Sequence, residues 1–156
     1  MAILSWGKGL LETAPSTDGA PASGATWTPI DTPKDGTLKL TATAGTEVTA
    51  QEEGGDIVDS RIGKTTYSLE FDLFVKKGVA RPWEDTDGLI ADEHAFRYTP
   101  EDDSNEGFLI ERSSVHCEES YTVADGKILH YVAKCLKPKT GKTVKPYTKV
   151  GNKAGG

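Results

Sequence analysis

At 156 residues the chain has the length of one domain. A chain of this size buries roughly two-thirds of its unfolded surface, so it does not depend on disulfides or metals to fold. Apolar content is 36%, with 17 Gly and 8 Pro, which suits short strands joined by turns more than a helical bundle. No run of about 18 apolar residues offers a membrane-spanning helix. The net charge of −6 is unevenly laid out. Glu84 to Glu119 holds twelve acids against Arg97 and Arg112, and Lys127 to Lys153 holds eight Lys and no acid. Solvated surface is the plain reading of such runs. The sharper one is that the basic end of one copy meets the acidic belt of another. Nucleic-acid binding ranks lower, because the basic stretch has no interleaved Arg and only Tyr147 to stack on a base.

Ile3–Trp6 is a short apolar run. The opening MAILSWGKG lacks a charged leader and a long apolar stretch, so the expectation is a chain kept in a cytoplasm. Residues 7–26 (GKGLLETAPSTDGAPASGAT) are small and polar and read as an extended, flexible arm that buries little. Trp6 and Trp27 bracket it and are expected to anchor its ends to the body or to a neighbouring subunit. Trp27–Ile30 and Thr37–Thr43 read as strands. Gly45–Gly63, with Glu52-Glu53-Gly54-Gly55-Asp56 inside it, reads as a long projecting hairpin or loop.

The clearest signal is Lys64–Lys77. Tyr67, Leu69, Phe71, Leu73 and Val75 alternate with Thr66, Ser68, Glu70 and Asp72, giving a strand with one dry face and one wet face. At about twelve residues it is roughly twice the usual strand length, so it belongs inside a sheet. Pro82 with Trp83-Glu84-Asp85 predicts one short helix near Pro82–Asp92. His94–Tyr98, Gly107–Val123 and Lys127–Leu136 read as strands, the last nearly apolar on both parities and so expected to be buried on both sides. The basic tail, residues 137–156, has room for an edge strand at Val144–Val150. The sum is a mainly β chain: an antiparallel sandwich or barrel with one short helix.

Asp125-Gly126 predicts a two-residue hairpin turn. That register sets Cys117 opposite Lys134 and turns Cys135 to the other face. Two reduced, mostly buried thiols are expected.

Signs of catalysis are weak. Gly63-Lys64-Thr65 and Gly141-Lys142-Thr143 match the end of a phosphate loop, but Val58 and Leu136 stand where its first Gly belongs. Asp85-Thr86-Asp87-Gly88 hints at a calcium loop, but Phe96 stands where the closing Glu belongs. His116 and Cys117 point to opposite faces of a strand and cannot pair. His94, His116 and His130 lack zinc spacing. The expectation is a protein that is not an enzyme and carries no cofactor or metal.

Thr37–Lys77, with its Thr-rich strand, its Glu52–Asp56 loop and its long strand Tyr67–Val75, resembles the tail tube proteins of long-tailed bacteriophages. The likeness is to the variety carried by phages and prophages of Bacteroides-like bacteria, and Ala95–Asp102 (AFRYTPED) is similar in the same way. The resemblance implies a β-sandwich or barrel, usually with one helix, assembled into generally hexameric rings that stack into a conduit for DNA ejection. It implies inter-ring or subunit contacts at Glu52, Glu53, Gly54, Gly55, Asp56, Trp6 and Trp27, and a lumen faced by Glu70 and Asp72. The partners implied are further copies of the chain, other tail proteins, and DNA passing without specific binding. The place implied is a virion tail built in a bacterial host's cytoplasm. The alternative is a carbohydrate- or protein-binding β-sandwich, with Trp6, Trp27 and Trp83 as stacking platforms.

Overall fold

Alternating side chains and turns at Gly and Asp lay the described part of this chain out as strands. The computed structural model describes residues 8–21 and 24–148, and among these no helix forms. In chain order the strands are β1 (Leu10–Thr17), β2 (Ala20–Pro21), β3 (Thr28–Pro29), β4 (Lys39–Thr43), β5 (Glu47–Gln51), β6 (Ile57–Ile62), β7 (Thr66–Phe74), β8 (Asp85–Thr86), β9 (Leu89–Ile90), β10 (Glu93–Thr99), β11 (Gly107–Thr122), β12 (Gly126–Cys135) and β13 (Lys145–Tyr147). Every pairing is antiparallel. The main sheet runs β2-β1-β10-β11-β12-β7-β4 and curls into a half-barrel. β3 adds to β1, β13 and β9 add to β11, and β8 pairs β9, while β5 and β6 form a separate two-stranded ribbon.

The inner face of the curl is the core. β7 contributes Leu69, Phe71 and Leu73, and β12 contributes Leu129, Tyr131, Ala133 and Cys135. Phe71 stands opposite Tyr131 across the strand pair, ring centroids 5.5 Å apart, and meets Phe96 of β10 edge-on at 6.2 Å. β12 is buried mainly on this face. On its second parity Ile128 is buried at 8%, His130 and Val132 are half-buried and Lys134 is exposed, so the expected two-sided burial holds only at the Ile128 end. Beyond Ile128 that parity looks onto the open side of the sheet, which no other layer of the described residues covers.

A single curled sheet needs a cover for its apolar side, and the connections supply one. Trp83 packs edge-on against Phe96 and Tyr131, at 5.6 and 5.3 Å, and leans on His94 at 5.0 Å. This is the region where a helix was expected. It folds instead as the β8–β9 hairpin, whose two-residue turn has both residues at positive φ, Asp87 at 51° and Gly88 at 86°. Such a turn favours Asp-Gly. Gly88 is further constrained because its carbonyl accepts the Cys117 N–H at 2.9 Å, and a Cβ on it would lie 2.6 Å from the Cys117 carbonyl oxygen.

Two other expectations are corrected. Residues 10–17, within the stretch expected to be a flexible arm over 7–26, do not form a free arm. β1 lies inside the sheet, paired with β10 from Leu10↔Thr99 to Ser16↔Glu93, and its Leu11 and Ala14 are buried. The β11–β12 hairpin closes by pairing Thr122 with Gly126, so three residues, not two, form its loop. The register shifts accordingly: Cys117 faces Tyr131 and Cys135 faces Ser113. Both thiols therefore enter the same core, where they are free and buried. Four residues of strand, on the order of 13 Å, separate their levels, too far for a disulfide.

β10 carries a bulge between His94 and Phe96. Hydroxyls cap the carbonyls there: Ser113 Oγ donates to His94 O at 2.5 Å and Thr13 Oγ1 donates to Ala95 O at 2.9 Å. The His94 ring sits against Trp83, and Nε2 lies 3.2 Å from Ala91 O. Burial lowers the His94 pKa from its ordinary 6.5, opposed by the Ala91 carbonyl and by Asp92. The unfolded chain therefore binds the proton that the folded chain resists, and stability falls as pH drops below about 6.5. A second loss comes at more acid pH. Asp31 is held below its ordinary 3.8 by Lys76, and Glu119 below 4.5 by Arg81 and Lys127, so both protonate more readily once unfolded. Urea midpoints measured from pH 8 to pH 3 are expected to fall in two stages, and His94→Gln is expected to remove the upper one.

Candidate assembly interface

Glu52, Glu53, Gly54, Gly55 and Asp56 lie together at the tip of the β5–β6 hairpin, and all five are exposed. Glu52 N donates to Asp56 O at 2.8 Å and Gly55 N to Glu52 O at 2.9 Å, with Gly54 and Gly55 at φ 102° and 96°. Glycine alone adopts such angles without strain. The hairpin continues the β4–β7 pair. Lys39↔Glu70 to Thr43↔Thr66 and Glu47↔Ile62 to Ala50↔Asp59 belong to one register. At the joint Gly63 N donates to Thr46 O at 2.9 Å, and the Gly45 and Gly63 backbones approach so closely that a Cβ on Gly45 would overlap Gly63.

Beyond that joint every residue of β5 and β6 is exposed. Val48 is 64% exposed, Ile57 59%, Val58 57% and Ile62 67%. Among the described residues none of these four side chains joins the core. An isolated two-stranded ribbon is marginally stable in water at best, and four exposed β-branched side chains on it are an unfilled contact surface.

Among the described residues the outer edge of β4 carries no further strand, and β5 continues that edge along the hairpin. At the opposite side of the sheet β1 is covered in part by β2 and β3. The described sheet thus has a long open edge, a template for pairing with another chain.

Glu70 and Asp72 project from β7 onto the open face, away from the core. Their side chains are 24% and 23% exposed. Asp72 Oδ1 lies 2.5 Å from His130 Nδ1, Glu70 Oε1 lies 3.9 Å from His130 Nε2, and Glu70 Oε2 lies 3.3 Å from Lys39 Nζ. The carboxylates are therefore bridged across β4, β7 and β12 by an imidazole and an ammonium. Neither His130 nor Lys39 stands out in the sequence as a partner of these carboxylates. Among the described residues, no three His, Cys, Asp or Glu side chains gather so as to hold a metal.

Trp27 lies far from the hairpin, next to β3 on the other side of the sheet. The Arg97 guanidinium sits 4.5 Å above its ring and 5.7 Å from Tyr147 of β13, while Arg97 Nε donates to Glu12 Oε1 at 2.9 Å. Arg97 so ties β1, β10, β13 and the residue preceding β3 into one stack. Trp27 anchors its segment to its own subunit. Trp6 lies outside the described residues.

An open notch of about 450 Å³ between Arg81, Asp85, Asp87 and Glu119 reaches Cys117. Burial, with Asp85 and Glu119 nearby, pushes that thiol up to about 11, and burial pushes Cys135 to about 12. Both stay protonated at neutral pH, the reverse of what a nucleophile requires. No helix among the described residues is long and apolar enough to cross a membrane. Comparison with protein-family models finds no match for this chain, and comparison with curated proteins finds none either.

Proposed function

We propose that this chain is the structural subunit of a phage tail tube, assembling into stacked rings whose joined sheets enclose a conduit for DNA. The observation that carries the reading is the β5–β6 hairpin: ordered in register with β7, yet with every strand residue exposed among the described residues. A second copy is the partner that a heterologous, filament-building contact provides. The open edge of β4 supports lateral joining of sheets. The face bearing Glu70 and Asp72, with Lys39 and His130 offsetting part of their charge, supports a wet, polar bore through which a duplex slides. The resemblance of Thr37–Lys77 to tail tube proteins supplies the rest. In this reading the protein works without catalysis, among other tail proteins in a virion.

The binding-module alternative has less support. Trp83 is partly buried with its ring packed against the core, and Arg97 occupies one face of Trp27, so neither is a free platform for a sugar ring. Sedimentation and negative-stain microscopy of the purified chain over a range of concentrations and salt test the proposal. Hollow tubes or rings are the expected result. A protein that stays monomeric throughout and binds a glycan array overturns it.

A further inference from the structure

Two surfaces with matching chemistry lie at opposite ends of β7. The hairpin enters the strand through Gly63, Lys64 and Thr65, before Thr66. The turn Val75-Lys76-Lys77-Gly78-Val79 follows Phe74 at the other end, about 30 Å away along nine residues of strand. That turn is fixed by Val79 N donating to Lys76 O at 3.2 Å, with Gly78 at φ 79°. Val75 and Val79 are both exposed on it. Beside them stands the loop of the β11–β12 hairpin. Val75 N donates to Lys127 O, Lys127 pairs with Tyr121, and Tyr121 and Val123 are exposed at 71% and 94%.

The charges differ in the same sense. At the turn end, Asp31, Asp125 and Glu119 are already matched within the subunit by Lys76, Lys34 and Lys127. Lys77 makes no ion pair with any described residue, and it is exposed. At the hairpin end, Glu52, Glu53 and Asp56 are exposed and hold no described cation, and Ile57 and Val58 stand next to them. One end thus offers acids flanked by bare β-branched residues. The other offers a spare ammonium flanked by bare valines and a tyrosine.

We infer that the hairpin tip of one copy seats on the Val75–Val79 turn and the adjoining β11–β12 loop of the next copy. Glu52, Glu53 and Asp56 meet Lys77, and Ile57 and Val58 cover Val75, Val79 and Tyr121. The inference rests on the tube reading and names the receiving surface for its axial contact. Copies that join these opposite ends in the same direction repeat along an axis, whereas an antiparallel pair would use both surfaces and stop at a dimer, so sedimentation that ends at a dimer overturns the axial contact.

Charge reversal tests it with substitutions away from the core. Lys77→Glu and Glu53→Lys are each expected to lower the sedimentable fraction about tenfold at a concentration where the unmodified chain assembles. Their melting curves are expected to match the unmodified chain. The double variant K77E/E53K, which restores opposite charges across the contact, is expected to recover assembly. Assembly of K77E at the unmodified level, or loss in both single variants with no recovery in the double, overturns this contact and leaves the tube reading standing. Failure of the unmodified chain to assemble at any concentration overturns both.

Discussion

Replacing Trp83 with Ala is expected to destabilise the subunit by about 3 kcal/mol, at the low end of the range for a core Trp because this ring is only partly buried. For a chain of this length that corresponds to a fall in Tm of roughly 6–12 °C. The reason is architectural. A curled sheet has no second layer, and Trp83 is the largest side chain that the connections lay over its inner face. Its ring meets Phe96, Tyr131 and His94, so truncation opens the core above three aromatic residues at once. Urea unfolding followed by circular dichroism gives the number directly. A loss under about 1 kcal/mol would mean that the residue 79–92 segment is not the cover it is taken to be.

Deleting the hairpin is expected to have the opposite profile. Replacing residues 47–62 with Asn-Gly joins Thr46 to Gly63, which already share a backbone hydrogen bond of 2.9 Å. None of the deleted strand residues is buried, so no core contact is lost. A shorter connection also costs less closure entropy, by about 0.6 kcal/mol per halving of its length. Stability is therefore expected to be no lower than in the unmodified chain and up to about 2 kcal/mol higher, while sedimentable assembly is lost. If the shortened chain unfolds, the ribbon is part of the subunit's own fold. If it assembles normally, the ribbon is not the axial contact.

Much of this fold can be read in the residues. The alternation Tyr67–Val75 places Leu69, Phe71 and Leu73 in the core and Glu70 and Asp72 on the open side, as the structure has them. The projecting hairpin follows from Gly45, Gly63 and a tip too polar for any core. The misses have particular causes. The chain holds Asp-Gly at Asp18-Gly19, Asp35-Gly36, Asp87-Gly88 and Asp125-Gly126. Only the first and third form tight turns with both residues at positive φ, closing β1–β2 and β8–β9. Reading Asp125-Gly126 as that turn put Cys135 on the wrong face. Reading past Asp87-Gly88 allowed a helix after Pro82. β1 escaped notice because its buried residues include Thr13, Ala14 and Ser16, which are small or polar, and because Pro15 argues against an inner strand.

The polar sites were legible only in part. Glu70 and Asp72 stand out by spacing, but His130 comes from a strand 58 residues further along the chain, and only the β7–β12 register brings it to Asp72. The Arg97 stack over Trp27 and Tyr147 likewise joins segments that share no local pattern. Local sequence sets which face a residue takes, while long-range pairing sets its neighbours.

Thiol labelling reaches the central claim most directly, because both native cysteines are buried and held protonated. Thr41→Cys adds an exposed thiol on β4, on the face shared by Lys39 and Glu70. In the free subunit, small and bulky maleimides are both expected to label it. In assembled particles the small reagent is expected to label it still, through the bore, and the polymer-linked reagent to be shut out. Equal labelling by the bulky reagent before and after assembly would put the Glu70–Asp72 face on the outside and contradict the account.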